Sequence, residues 1–233
     1  MTLVVGFDTA TDDVAVALTR GGESVDERLL AAAGNGRPRH ATVLLTELES
    51  MVEQAGGWEP VTLIGVGVGP GSFTGLRIGL ATARALGQAL AKPVVPVGTL
   101  AALARGIGEQ RAAKARARLA VLDARRGQAF AALHGPGNEQ LWPPLVALPG
   151  ELAERVAALP QPPLAAGSGT IRFRDELEAT GAEVLSDSEP GHRVSARNVC
   201  LLAEAGKPAR PESIEPIYLR PPDAELWLER DTR

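Results

Sequence analysis

The sequence is short of several things, and each shortage closes off a class of function. Cys200 is the single cysteine in 233 residues, so no internal disulfide can form and no cysteine cluster can hold zinc. The three histidines, His40, His134 and His192, lie far apart, and none pairs with another at metal-ligand spacing. The His-Glu-x-x-His motif is absent, as is the Gly-x-Ser-x-Gly nucleophile elbow. Aromatic residues make up 3% of the chain, too few for a base-stacking platform. A net charge of −4 argues against bulk nucleic-acid affinity. No apolar run approaches membrane-spanning length, and the opening Met1-Thr2-Leu3-Val4-Val5-Gly6-Phe7-Asp8 lacks the positive segment of a signal peptide. The expected compartment is the cytoplasm.

What is present centres on residues 65–79, Gly-Val-Gly-Val-Gly-Pro-Gly-Ser-Phe-Thr-Gly-Leu-Arg-Ile-Gly, running on to Leu90. Residues 61–68 are β-branched and apolar, as a central strand is. Gly69-Pro70-Gly71 can turn sharply, and Ser72 or Thr74 can cap the helix that follows. Such a corner can point N–H groups at a phosphate. However, a P-loop needs Gly-Lys-Ser/Thr, and no lysine lies between Gly65 and Leu90. The spacing of Gly-x-Gly-x-x-Gly is not met either. A plain strand-to-helix corner therefore stands beside the phosphate reading.

The helix over 75–90 is apolar around most of its circumference. Arg77, Arg84 and Gln88 share one narrow strip, and Leu76, Ile78, Leu80, Leu86 and Leu90 cover most of the rest. Gly75, Gly79, Ala83 and Gly87 form a line of small residues at i, i+4 spacing. A helix of this kind is buried on more than one side, by its own domain or by a partner.

Taken in order, the chain opens with an antiparallel meander over 3–7, 14–18 and 24–30. Asp8 ends the first strand. It can hold a metal or Mg²⁺-phosphate, or cap the turn; the cap is the reading taken. A second amphipathic helix spans 39–55, with Leu44, Leu48, Met51 and Val52 on its apolar face and His40, expected to be solvated or capping, in its first turn. Residues 93–97 read as a strand and 100–107 as a helix. Arg111, Lys114, Arg116, Arg118, Arg125 and Arg126 form a basic cluster that can meet RNA phosphates or, as taken here, lie on a solvated face. Trp142-Pro143-Pro144 reads as a loop, 151–159 as a helix, 164–170 as a strand and glycine turn, 195–205 as a helix burying Cys200, 208–216 as a linker and 217–220 as a short strand. One echo stands out. Residues 121–133 repeat the logic of 6–18: an apolar strand, an aspartate, a short polar turn and a second apolar strand. Asp8 to Leu18 and Asp123 to Leu133 both span ten residues. Two related lobes follow, a first over 1–100 joined by 207–233 and a second over 101–206.

Phe7-Asp8-Thr9-Ala10-Thr11, the long run over 69–79, Asp123-Ala124-Arg125-Arg126-Gly127 and Pro216-Ile217-Tyr218-Leu219-Arg220 together resemble the TsaB family. TsaB is the dimerisation subunit of the bacterial complex that adds threonylcarbamoyl to adenosine in tRNA. These landmarks span nearly the whole chain. The resemblance implies an α/β fold of two related lobes, each a mixed β-sheet with flanking helices, in the duplicated ribonuclease-H-like, actin/Hsp70-kinase-like class. It also implies a non-catalytic scaffold that binds and activates TsaD, the catalytic paralogue. TsaD holds its metal with a His-x-x-x-His pair, and the matching stretch here, 97–103, contains no histidine. Implied partners are a TsaD-like subunit, a TsaE-like ATPase, and tRNA through the complex, with no membrane. ATP and metal are expected on those partners, with no cofactor in this chain. The pairing surface is expected on helices 39–55 and 75–90, at Leu44, Leu48, Met51, Val52, Gly75, Leu76, Gly79, Leu80, Ala83 and Gly87; the same helices can pair two copies of the chain when TsaD is absent. A vestigial nucleotide cleft is expected at Asp8, Gly69, Gly71, Ser72, Asp123 and Gly167. The rival reading is a nucleotide-binding ATPase or kinase-like enzyme of the same fold, using those groups. A metalloprotease lacks its ligands, and an RNA-binding module acting alone is opposed by the acidity and the scarce aromatics.

Overall fold

The computed structural model describes residues 1–32, 39–110 and 115–220. Its first sheet holds β1 (Leu3–Asp8), β2 (Val14–Arg20), β3 (Glu23–Leu30), β4 (Leu63–Gly67) and β5 (Val94–Val97), in the order β3-β2-β1-β4-β5. The second holds β6 (Arg118–Arg125), β7 (Gln128–His134), β8 (Gln140–Ala147), β9 (Leu164–Ala166) and β10 (Glu183–Val184), in the order β10-β9-β6-β7-β8. Read from its other edge, the second sheet repeats the first strand for strand. In each, an antiparallel meander of three strands is extended by two parallel ones. The echo of 6–18 in 121–133 is therefore the β1–β2 hairpin and its counterpart β6–β7.

Among the described residues seven α-helices accompany the sheets: α1 (His40–Gln54), α2 (Phe73–Ala89), α3 (Thr99–Gly108), α4 (Pro149–Ala157), α5 (Ser168–Arg172), α6 (Arg174–Glu178) and α7 (Ala196–Ala205). They make five layers with the sheets. Alternate residues of β1 face opposite ways, as strand geometry requires. Leu3, Val5 and Phe7 join the core under α1 and α2, and Val4 joins a central core containing α3 and α7. Likewise Leu119 and Val121 of β6 face the α4 and α6 side, and Ala120, Leu122 and Ala124 face the centre. The central apolar layer is thus shared by both sheets.

The central helices cross between sheets. α3 packs on β6, β7 and β9, and α7 packs on β1, β2 and β4. The end of the stretch expected as the second lobe, 101–206, therefore lies against the first sheet. Glycine makes room for α7. Gly6 and Gly65 are paired neighbours on β1 and β4. A Cβ at Gly6 would stand 2.5 Å from Cys200 Sγ, and one at Gly65 would stand 2.8 Å from the Ala203 methyl. Cys200 is sealed between them, its thiol pushed up to about 12 by burial.

Two local expectations fail. Residues around Trp142-Pro143-Pro144 form β8, an edge strand whose pairing with β7 slips in register at two places. Successive N–H groups of a strand point to opposite sides, so one proline faces the open edge while the other falls where the pairing with β7 slips, and neither leaves a ladder bond unmade. Residues 217–220 form no strand; Ile217 N–H donates to the Val68 carbonyl at 2.7 Å, and upstream Ala209 N–H donates to Val94 at 2.8 Å.

Gly6→Ala is expected to destabilise the chain by about 1–3 kcal/mol through overpacking, because the Ala196 carbonyl and Cys200 N also lie 3.0 Å from the new methyl. Adding Cys200→Ala should recover part of the loss in a double-mutant cycle of urea unfolding. Additivity of the two changes would contradict this packing.

Candidate functional site

A cavity of about 1050 Å³ lies between the lobes. Its walls include the β1–β2 turn with Thr11, Asp12 and Asp13, the start of α2 with Gly71, Ser72 and Phe73, and Asp123 and Arg125 of β6. Segments 187–194 and 217–220 complete it.

The six residues expected in this cleft divide by depth. Gly71, Ser72 and Asp123 line the wall; Asp8, Gly69 and Gly167 are buried beneath it. Asp8 Oδ2 accepts from the Thr99 hydroxyl at 2.6 Å, and Oδ1 accepts from Ala10 N–H at 2.7 Å. Gly69 N–H in turn donates to Thr99 Oγ1 at 3.1 Å, closing a small network. A Cβ at Gly67 would stand 1.8 Å from Asp8 Oδ2, so the strand beside it must carry glycine. Asp8 therefore caps its turn. Burial raises its pKa above 3.8, opposed by the bonds from Thr99 and Ala10 and by the charge of His40. Asp123, its counterpart, keeps its charge partly exposed and pairs with Arg172 at 2.9 Å, while its Oδ1 accepts from Arg125 N–H at 2.8 Å. Gly167 sits at φ +123°, where a Cβ would stand 2.0 Å from the Val121 carbonyl, and its N–H donates to His192 Nδ1 at 3.1 Å.

Helix α2 is seated by the same turn. Ser72 Oγ accepts from Gly75 N–H at 3.3 Å, and Ser72 N–H donates to the Ala10 carbonyl at 2.7 Å. Thr9 Oγ1 donates to the Gly75 carbonyl at 2.8 Å. A Cβ at Gly75 would stand 1.9 Å from the Thr9 carbonyl, one at Gly79 2.4 Å from Thr9 Oγ1, and one at Gly87 2.5 Å from Val94. The line of small residues thus faces this chain's own β1–β2 turn and β5. Leu76, Leu80 and Ala83 are buried with it, as are Leu44, Leu48, Met51 and Val52 of α1. All ten residues expected at a partner surface lie inside the monomer. Periodicity marked them correctly as buried, but the depth to which the glycines let α2 sink is a tertiary property. What α1 and α2 leave outward is a different set: Ala41 and Leu45 beside Thr42, Thr46, Glu49, Glu53 and Gln54 on α1, and Thr74, Ala81, Ala85 and Ala89 beside Arg77 and Gln88 on α2, with Ile78 and Leu86 half-buried.

The histidines are all internal. His40 is buried with Nε2 2.8 Å from the Thr11 carbonyl, against the expectation of a solvated or capping residue. His134 is buried, and burial, with Arg118 nearby, lowers its pKa. Among the described residues no group of three or more His, Cys, Asp or Glu is placed to hold a metal. The basic cluster is dispersed: Arg116 pairs with Glu183, Arg118 donates to the Pro136 carbonyl at 2.7 Å, and Arg125 pairs with Asp12. Arg111 and Lys114 lie outside the described residues. Among the described residues, no helix is long and apolar enough to cross a membrane.

Sequence reasoning missed one grouping. Phe73 and Tyr218 meet at the cleft wall with ring centroids 5.2 Å apart, and the Arg77 guanidinium lies 3.9 Å from the Phe73 centroid. Nothing in the spacing of two aromatics so distant in sequence announces the contact.

Two copies of one five-stranded mixed sheet around a cleft define the duplicated, sugar-kinase-like and actin-like class. In keeping with that, the fold matches the ROK hexokinase from Thermus thermophilus with a TM-score of 0.51 over 88% of this chain and 99% of that one, at 16% identity. A structure of an uncharacterized protein with similarity to peptidase YeaZ, from Pseudomonas aeruginosa, matches with a TM-score of 0.78 at 27% identity, over 94% of this chain and all of that one. Residues 36–159 match the family described as TsaD: tRNA N6-adenosine threonylcarbamoyltransferase. The tRNA threonylcarbamoyladenosine biosynthesis protein TsaB of Escherichia coli is 29% identical over 226 residues, covering 93% of this chain and 94% of that protein. The chain belongs to the TsaB/YeaZ family, whose members from Escherichia coli and Bacillus subtilis are named as proteins of tRNA threonylcarbamoyladenosine biosynthesis.

Because the folded carboxyl of Asp8 binds its proton more tightly than the unfolded one, this group's contribution to stability is full below about pH 3.8 and is lost as pH rises through the folded value. Asp8→Asn cannot ionise, so the stability of the parent relative to this variant should decline with rising pH across that window; a pH-independent difference in urea unfolding would contradict it. Ala83→Arg is expected to place an unpaired charge in the core under α2 at a cost of about 3–5 kcal/mol, seen as a collapsed thermal midpoint of the free chain. An unchanged midpoint would mean that this face is not internal.

Proposed function

We propose that this chain is a non-catalytic subunit in the formation of threonylcarbamoyladenosine in tRNA, binding a TsaD-like transferase through the outward face of α1 and α2. The observation that carries this reading is the outward stripe itself. Thr74, Ile78, Ala81, Ala85 and Ala89 form an uncharged stripe along α2, bordered on one side by exposed Arg77 and Gln88, with Ala41 and Leu45 beside it on α1. Leu45 is 46% exposed in the free chain. Small residues let a second pair of helices approach closely, and apolar ones gain from being covered. The chain also shares family with the transferase over 36–159, a span containing both helices. Two chains of one fold can present equivalent helices to each other about a near-twofold axis. The same geometry pairs two copies of this chain when the transferase is absent. Catalysis belongs to the partner in this reading, since 97–103 carries no histidine pair. ATP and metal likewise sit on partner subunits, including a TsaE-like ATPase, and tRNA is met through the complex.

The kinase-like alternative rests on the cleft. It requires that the isolated chain bind MgATP, and micromolar affinity measured by calorimetry would favour it. The main test is binding of the same organism's transferase. Ala81→Arg and Ala85→Arg should each weaken the complex at least about thirtyfold, the loss typical of a central interface position, with the thermal midpoint within a few degrees of the parent. Unchanged affinity in both variants would place the interface elsewhere.

A further inference from the structure

The cleft is bridged by opposite charges carried on equivalent turns. The turn from β1 to β2 carries Asp12 and Asp13. Its counterpart, at the β6–β7 corner, carries Arg125 and Arg126. The Arg125 guanidinium donates to the Asp12 carboxylate across the gap, between residues 113 apart in sequence. Beside it, Arg193 Nε lies 3.8 Å from Asp13 Oδ2. A third bridge joins Arg220 Nη1 to Gln128 Oε1 at 3.2 Å. Asp12, Asp13, Arg125, Arg193 and Arg220 all line the cavity.

The backbone of the second turn is arranged for this reach. Arg125, Arg126 and Gly127 have φ of +63°, +52° and +72°. The left-handed region favours glycine and is costly for arginine. A register slip between Asp123 and Arg125 sets the turn off from the ladder, and the Asp123 carboxylate holds the Arg125 N–H. An unstrained hairpin corner would place Asn-Gly there; here two arginines occupy left-handed positions, and the first points across the cleft. The opposite side of the lobe junction is different in kind. There the apolar layer of α3 and α7 is continuous between the sheets.

We propose that the Asp12–Arg125 and Asp13–Arg193 pairs form an ionic latch that holds the two lobes closed over the cleft, hinged on the α3/α7 layer. The latch is weak by construction. The side chains of Asp12 and Arg125 are 49% and 63% exposed. Exposed pairs shift an equilibrium by about 1.4- to 5-fold each and fade as salt screens them. Two such pairs bias the closed state without locking it. This inference does not depend on the transferase reading, since it concerns the lobes of the free chain.

The test is a spin-label distance between the outer layers, from Glu53→Cys on α1 and Glu154→Cys on α4, both exposed. Cys200 is buried and does not compete for the label. At low salt the unmodified latch should give a short, narrow distance distribution. At about 1 M salt, where the Debye length is about 3 Å, a longer population should grow. Asp12→Arg and Arg125→Gln should each produce that longer population at low salt, with circular dichroism unchanged. The charge swap Asp12→Arg with Arg125→Asp should restore the short one. Should Asp12→Arg fail to fold, Asp12→Asn serves in its place, with Arg125→Gln as the matching partner change. Distributions that ignore salt and both single changes, or a charge swap that restores nothing, would overturn the latch and leave a surface ion pair without consequence.

Discussion

The rest of the structure depends on the flat spot made by Gly6 and Gly65. Two glycines abreast on adjacent strands remove the side-chain layer that normally separates a helix from a sheet, and α7 drops into the gap. That contact brings a helix encoded near the end of the chain back onto the first sheet. From there the segment after α7 has one short route, along β5 and under α2. Ala209 bonds to Val94, Ile214 takes the Arg84 guanidinium on its carbonyl, and Ile217 bonds to Val68. Tyr218 then reaches Phe73 and finishes the cleft wall. A cleft wall built from residues 10–13, 71–74 and 217–220 thus follows from how closely one helix can approach two strands.

Duplication imposes symmetry on the backbone but not on the chemistry. Asp8 ends β1 and Asp123 lies two residues before the end of the equivalent β6, yet one is sealed under a threonine hydroxyl and the other faces the cleft against an arginine. The difference comes from the neighbours. Gly67 lets a carboxylate tuck inward beside β4, whereas Ser168 and Arg172 of the short α5 hold Asp123 at the surface. An aspartate at a strand end is therefore a poor guide to a phosphate or metal site. What decides is whether the adjacent strand leaves room for it to turn in.

Much of the architecture was legible in the residues. The matching spacing from Asp8 to Leu18 and from Asp123 to Leu133 reports two related hairpins, although their turns differ, with five residues between β1 and β2 and two between β6 and β7. The amphipathic pattern of α1 and the apolar girth of α2 were also readable, as was a cap at Ser72 or Thr74, which the structure places at Ser72. The faces were not. A line at i, i+4 spacing says that something comes close, and it is silent on whether that something is a partner helix or the chain's own Thr9. His40 misled for a similar reason, since its burial depends on the β1–β2 turn arriving over the start of α1. The Phe73–Tyr218 contact and the Asp12–Arg125 bridge join residues more than a hundred positions apart, and no local pattern encodes them.

The two prolines that disguised β8 have a further effect. A sheet edge with free N–H and C=O groups is a template for another strand, and this fold has four edges to manage. Pro143 and Pro144 strip donors from β8, and Glu23, Asp26, Glu27 and Arg28 put charge along β3. Ala209 bridges β5, and β10 is two residues long. With every edge blunted, strand exchange between molecules is discouraged from each side of both sheets.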